Sequence, residues 1–156
     1  KVVLHPGSSV GLERNHAISN IIKGLNMILG NKHNVTICLE TMAGKGTEVG
    51  KNFYELKQII DGIDNKDKIG VCLDTCHLSD AGYDISNFDK FLDDEISIII
   101  ITQLMANEIR EHINRKIGSD VLPMIIEIPD KDGSSEGSSD QINDLIKRVI
   151  GVEMVK

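Results

Sequence analysis

The chain has 156 residues, the size of one compact domain, and its hydrophobic residues make up 40% of the total, with few aromatics. Its formal net charge of −7 argues against a nonspecific nucleic-acid-binding protein, because no basic patch stands out. No segment is long and apolar enough to span a bilayer. The three cysteines, Cys38, Cys72 and Cys76, imply no disulfide framework, so we expect a reducing, cytoplasmic setting.

Five short apolar runs predict β-strands. In chain order they are "KVVLH", "VTICLE", "IGVCLD", "ISIIIIT" and "LPMIIEI". Apolar residues at helical spacing follow each run and predict helices near residues 18–29, 53–63, 85–92, 105–117 and 142–150. Residues 130–140 read as a flexible loop of low complexity.

This alternation of strand and helix predicts βαβ units and a parallel sheet. We therefore predict one α/β domain over residues 1–156, built on an open, five-stranded parallel sheet with helices on both faces. The flavodoxin-like or Rossmann-like strand order 2-1-3-4-5 is the expected arrangement.

Polar residues stand where the predicted strands end, at His5, Glu40, Asp74, Thr102 and Glu127. The carboxyl ends of parallel strands form the ligand-binding edge of such a sheet. For each residue alone, a structural role in a turn or a helix cap is the favoured interpretation, since strand-end polar residues commonly serve structure.

The segment "CLDTCH" suggests a metal site, because Asp74 and His77 are spaced to reach one ion around a tight turn and Cys76 adds a candidate thiolate. In the order 2-1-3, His5 would lie between Glu40 and Asp74, which favours a site of three or four ligands. The alternative is that these side chains remain solvated at the edge of the sheet.

Taken together, "VVLHPGS", "LETMAGKGTEVG" and "GVCLDTCHLSDAGYDI" resemble the endonuclease IV family of zinc-dependent apurinic/apyrimidinic endonucleases, from Val2 to about Asp94. The resemblance implies a segment of a TIM barrel and a trinuclear zinc cluster that cuts DNA 5′ of an abasic site. It implies that His5, Glu40, Asp74 and His77 are metal ligands. The "DRH" segment that supplies further ligands in that family does not occur in this chain.

From about Asp93 to Glu153 the sequence instead resembles the small central-stalk component of archaeal and vacuolar-type ATPases that is designated F. The segments that carry this resemblance are "DDEISIIIITQLMANEIREHI", "LPMIIEIPDKDG" and "DLIKRVIGVE". The resemblance implies a small Rossmann-like domain of a rotary central stalk, without catalytic activity.

The two resemblances meet near "FDKFLDDEIS", which divides the chain into residues 1–94, derived from a TIM barrel, and residues 95–156, similar to the ATPase stalk component. Natural fusions join whole domains through linkers, so a junction inside one domain indicates an engineered fold chimera. The leading hypothesis is a chimera without an intact native active site, inactive as an enzyme, that retains partial zinc binding and requires no partner. The alternatives are a metal-dependent endonuclease acting on abasic-site DNA and a non-catalytic binding module like the ATPase stalk component.

Overall fold

All five predicted strands are present in a computed structural model of the protein, which describes residues 1–30, 34–85, 96–117 and 123–129. The side chains at 112–114, 116 and 117 lie outside that description. The strands are β1 (Val2–Leu4), β2 (Ile37–Glu40), β3 (Ile69–Asp74), β4 (Ile96–Thr102) and β5 (Met124–Ile128).

The strands form one parallel sheet in which each strand pairs with the next one in the chain, in the order β1-β2-β3-β4-β5. The predicted open, five-stranded parallel sheet is therefore confirmed, but the predicted order 2-1-3-4-5 is wrong. Right-handed crossovers allow a new strand to be added at either edge of a sheet. In a flavodoxin-like order, successive strands are added first at one edge of the sheet and then at the other. The apolar runs contain no information about which edge a strand joins.

The described helices are α1 (Arg14–Leu29), α2 (Phe53–Asp61), α3 (Thr75–Asp80) and α4 (Gln103–Ile117), with a 3₁₀ turn at Lys66–Lys68. The helices predicted near 18–29, 53–63 and 105–117 are confirmed. The helix predicted over 142–150, the loop predicted over 130–140 and nearly all of the helix predicted over 85–92 lie outside the described residues. Helix α3 stands where a tight turn was expected.

Side chains alternate between the two faces of the sheet, as the period of a strand requires. On one face Leu39, Leu73 and Ile99 are buried in a cluster that also contains apolar residues of α1, α2, α3 and α4. Burying such a side chain contributes about 1.5–3 kcal/mol. The other face carries a smaller cluster that includes Cys38 and Cys72.

All of the described helices therefore pack on one face, and the prediction of helices on both faces is wrong for this part of the chain. Successive right-handed crossovers in a sheet of consecutive order place their helices on the same side. The result is a half-barrel with its helices outside.

Candidate metal centre

Three neighbouring strands end at the same edge of the sheet, and each delivers a polar side chain there. His5 follows β1, Glu40 is the last residue of β2, and Asp74 is the last residue of β3. Because β2 lies between β1 and β3, Glu40 is the central residue of this edge. The expectation that His5 would occupy the central place is wrong, since it depended on the order 2-1-3.

Glu40 contacts an imidazole with each of its carboxylate oxygens. Its Oε2 lies 3.0 Å from His5 Nε2, and its Oε1 lies 3.2 Å from His77 Nδ1. Glu40, Asp74 and His77 each offer a ligand atom, and these atoms all lie within 4.8 Å of one another. The structure thus brings together His5, Glu40, Asp74 and His77, the set named from the sequence.

Asp74 has both a structural role and a position in the cluster. Its Oδ1 accepts hydrogen bonds from the backbone N–H groups of Cys76 at 2.8 Å and His77 at 3.0 Å, which makes Asp74 the N-cap of α3. Its Oδ2 lies 4.0 Å from His77 Nδ1. Helix α3 therefore places His77 on its first turn, facing back over the strand ends. Within the described ranges, Cys76 is outside the group of close ligand atoms.

His77 is oriented by the backbone of Thr41. Its Nδ1 lies 2.9 Å from the Thr41 carbonyl oxygen. A carbonyl only accepts hydrogen bonds, so this contact requires a proton on Nδ1 and leaves the Nε2 lone pair of a neutral ring available to a cation. Metal-binding histidines commonly use this second contact to fix their tautomer.

Thr41 also joins the ends of β2 and β3, and the sequence-based reasoning missed it. Its N–H donates to the Cys72 carbonyl at 3.0 Å, and its hydroxyl accepts from the Asp74 N–H at 3.0 Å. The only sequence signal was a hydroxyl residue directly after a strand-end glutamate.

The electrostatic environment of Glu40 favours a bound cation. Burial raises the pKa of Glu40; His5 and His77 oppose this rise, and the nearby Asp74 carboxylate adds to it. Two carboxylates so close together in a buried site repel each other unless a proton or a cation lies between them. A metal ion with imidazole and carboxylate ligands would satisfy both groups.

Thr102 and Glu127, the remaining strand-end polar residues, lie outside the cluster and support α4. The Thr102 hydroxyl accepts from the Met105 N–H at 3.4 Å. The Glu127 carboxylate receives two hydrogen bonds from Arg110, at 2.9 and 3.0 Å. For these two residues the structural interpretation is the one that the geometry supports.

The loop after Glu40, residues 41–52, is anchored by Arg14 at the start of α1. Arg14 donates to both carboxylate oxygens of Glu55, at 2.8 and 2.9 Å, and to the carbonyl oxygens of Thr47 and Glu48. The Gly50 N–H donates to Glu55 Oε2 at 2.8 Å. The segment that follows Glu40 at the end of β2 is thereby fixed to α1 and α2.

A parallel half-barrel with outer helices and polar residues at its carboxyl-end edge is the architecture of part of a TIM barrel. The chain belongs to the xylose isomerase-like TIM barrel family, whose model matches residues 1–125. This match continues beyond the expected junction at Asp94 and includes β4 and α4. The resemblance of residues 93–153 to the ATPase stalk component stays a prediction.

Among curated proteins, the chain is similar to several named "Probable endonuclease 4". That of Acholeplasma laidlawii is 49% identical over 119 residues, covering 72% of this chain and 40% of the relative. Those of Staphylococcus saprophyticus and Pediococcus pentosaceus are 48% and 46% identical, with 72% and 74% of this chain and 38% and 42% of the relatives covered. The chain thus spans about 40% of the length of these relatives.

In the part of the chain that the structure describes, no helix is long and apolar enough to cross a membrane.

Proposed function

We propose that His5, Glu40, Asp74 and His77 bind zinc, and that this site serves the hydrolysis of a phosphodiester in DNA at abasic sites. The observation that carries the proposal is the position of Glu40. Its buried carboxylate lies between two imidazoles and beside a second carboxylate, at the carboxyl-end edge of a TIM-barrel sheet. The family and the "Probable endonuclease 4" relatives support the reaction class.

The donor set suits zinc, which binds imidazole nitrogens and carboxylate oxygens. Asp74 Oδ2 is available, since both helix-capping bonds go to Oδ1. His77 Nε2 is available because its Nδ1 faces Thr41 and Glu40. The His5 side chain is exposed, so it lies on the side of the cluster that a substrate approaches.

Bound zinc would supply an activated water molecule and stabilise negative charge on the phosphate in the transition state. The chain's own residues would position the metal and keep part of its surroundings dry. Glu40 is held at the centre by the sheet, and Thr41 fixes both the ring of His77 and the backbone of Asp74.

A second candidate function is metal binding without cleavage, as expected for a recombined scaffold. The observation that favours it is that the motifs of this chain match four ligands of the larger set that the resemblance implies. Phosphodiester hydrolysis depends on accurate placement of all of its metal ligands, because an error of about 1 Å costs on the order of a hundredfold in rate.

Calorimetric titration of the metal-free chain with zinc tests the site. We expect binding to be lost in His77→Ala and Glu40→Gln and to persist in His16→Ala, which removes an exposed histidine of α1 outside the cluster. Equal binding by all of these variants, or none by the original chain, overturns the proposed site.

Incubation of the zinc-loaded chain with an abasic-site duplex then decides between the two candidate functions. Cleavage favours the endonuclease, and zinc binding without cleavage favours the scaffold.

A further inference from the structure

An exposed ion pair bridges the two segments that carry the candidate metal ligands. Lys45 Nζ lies 2.8 Å from Asp80 Oδ2, and the two side chains are 76% and 51% exposed. Lys45 belongs to the loop that follows Glu40, and Asp80 is the last residue of α3, the helix that Asp74 caps. The pair therefore spans the rim of the metal centre.

The pKa of Asp80 reflects its ion pair with Lys45. The pKa of Asp80 is lowered by the hydrogen bond and the charge of Lys45, and to a smaller extent by His77. In the chain, Lys45 is five residues from Glu40 and Asp80 is three residues from His77, so the ion pair joins segments that carry two of the candidate ligands.

A second lysine emerges from the same loop. The aliphatic part of Lys51 packs against the backbone of Gly44, where an added Cβ would lie 3.0 Å from Lys51 Cβ and 3.1 Å from its Cδ. Lys51 is exposed, and among the residues that the structure covers it has no ion pair within 4.0 Å. Lys45 and Lys51 together are called the lysine rim below.

The backbone that carries the lysine rim is already ordered. The Met42 N–H donates to the Gly50 carbonyl at 3.0 Å, which closes the base of the loop, and the Lys45 N–H donates to Glu48 Oε2 at 2.8 Å. Arg14 holds the carbonyl groups of Thr47 and Glu48 from the other side. A ligand that binds this rim has little backbone entropy to remove.

We propose that the lysine rim binds phosphates of the DNA backbone, and that Asp80 forms an ion pair with Lys45 in the free protein that a phosphate replaces on binding. The inference rests on the proposed function for its substrate class. A chain with a net charge of −7 repels a polyanion at long range, so local cations at the metal-bearing edge are needed to hold one. Lysine binds phosphate as a mobile point charge, which allows the exchange of one anionic partner for another.

The exchange predicts that removing the competing carboxylate tightens DNA binding. An exposed pair of this kind contributes about 0.2–1 kcal/mol, so Asp80→Asn is expected to strengthen binding by about threefold. The chain offers a matched control in the exposed pair of Lys57 and Asp61, 3.2 Å apart with side chains 73% and 60% exposed. Asp61 ends α2, which runs away from the carboxyl-end edge, so Asp61→Asn removes the same charge far from the rim.

The experiment is fluorescence anisotropy of a labelled duplex carrying a tetrahydrofuran abasic-site analogue, titrated with the zinc-treated chain over a series of salt concentrations. We expect tighter binding for Asp80→Asn and no change for Asp61→Asn. Lys45→Ala and Lys51→Ala should each weaken binding and reduce the slope of log K against log salt by about 1. In the Lys45→Ala background, Asp80→Asn should lose its effect.

An Asp80→Asn effect that equals that of Asp61→Asn, or that persists without Lys45, overturns the exchange. Zinc titration of the same proteins separates this inference from the proposed function. A chain that binds zinc but does not bind the duplex at any salt concentration refutes the lysine rim and leaves the metal site intact. A chain that binds the duplex with the expected Asp80 effect but takes up no zinc refutes the metal site and keeps the rim.

Discussion

The side chain of Thr41 and the backbone of Asp74 form two hydrogen bonds with each other across neighbouring strand ends. The Thr41 hydroxyl accepts from the Asp74 N–H at 3.0 Å and donates to the Asp74 carbonyl at 3.4 Å. Both residues are buried. One hydroxyl therefore fixes the separation of the β2 and β3 ends, and with it the position of Asp74 relative to Glu40.

Thr41→Val should separate the hydroxyl's effect from that of side-chain shape. The substitution keeps the volume but leaves the buried Asp74 N–H without its partner, which is expected to cost about 1–3 kcal/mol in the free energy of unfolding and to weaken zinc binding. Thr41→Ser keeps the hydroxyl and is the control. Urea denaturation and zinc titration measure the two effects, and a valine variant that binds zinc as tightly as the serine variant would contradict the assignment.

The Arg14–Glu55 pair should make stability depend on pH in the acid range. Burial acts to raise the pKa of Glu55, but hydrogen bonds from Arg14 and the Gly50 amide outweigh it and hold the pKa below its ordinary value of 4.5. The ionised form is therefore preferred in the folded state. Its stabilisation is complete above pH 4.5 and is lost as the pH falls through the lowered pKa.

Glu55→Gln is expected to lower the free energy of unfolding by about 1–3 kcal/mol at pH 7. The difference from the original chain should shrink as the pH is lowered below 4.5, as measured by urea denaturation at several pH values. Glu108→Gln, at an exposed position of α4, is the control for loss of a charge. A stability difference that stays constant down to pH 3 would show that Glu55 contributes through packing alone.

Two glycines of the loop after β2 permit a test of close packing near the site. Gly50 has φ +98°, and an added Cβ would lie 3.0 Å from Pro6 Cγ and 3.2 Å from Leu56 Cδ2. Gly46 has φ +61°, and a Cβ there would meet nothing within 4 Å. Gly46→Ala should therefore cost only the backbone strain, about 1 kcal/mol. Gly50→Ala should cost about 1–3 kcal/mol more, and equal losses in urea denaturation would argue against the contact with Pro6.

The three cysteines should differ sharply in reactivity toward a thiol reagent. Cys38 and Cys72 are fully buried, and burial, with the nearby Glu40, Cys38 and Asp74, raises the pKa of Cys72 to about 12. Cys76 is exposed. Ellman's reagent at pH 8 should modify one thiol per native chain, and Cys76→Ser should abolish that fast reaction. Rapid modification of two thiols in the native chain would contradict the burial of Cys38 and Cys72.

The sequence was sufficient to predict the five strands and helices α1, α2 and α4, because these depend on local patterns, and the family resemblance supplied the set His5, Glu40, Asp74 and His77. Apolar runs such as "ISIIIIT" define strands whatever their neighbours are, and parallel strands end at one edge, so His5, Glu40 and Asp74 were expected at the same edge of the sheet. The strand order was not predictable in this way, since it depends on which edge each unit joins. Helix α3 has six residues, too few for an apolar period, and its start is fixed by the Asp74 side chain. Thr41 acts through tertiary hydrogen bonds that leave no pattern in the sequence.

The consecutive order of the strands also has a consequence for how the chain folds. Each strand from β1 to β4 pairs with the strand that follows one βα unit later, so among the described strands every pairing joins neighbours in chain order. A sheet of this topology can grow one strand at a time as the chain emerges from the ribosome. Glu40 and Asp74 would come together as soon as β3 docks on β2, before β4 and β5 pair with the sheet. In this sequence of events the edge that carries the proposed metal ligands is among the first tertiary structures to form.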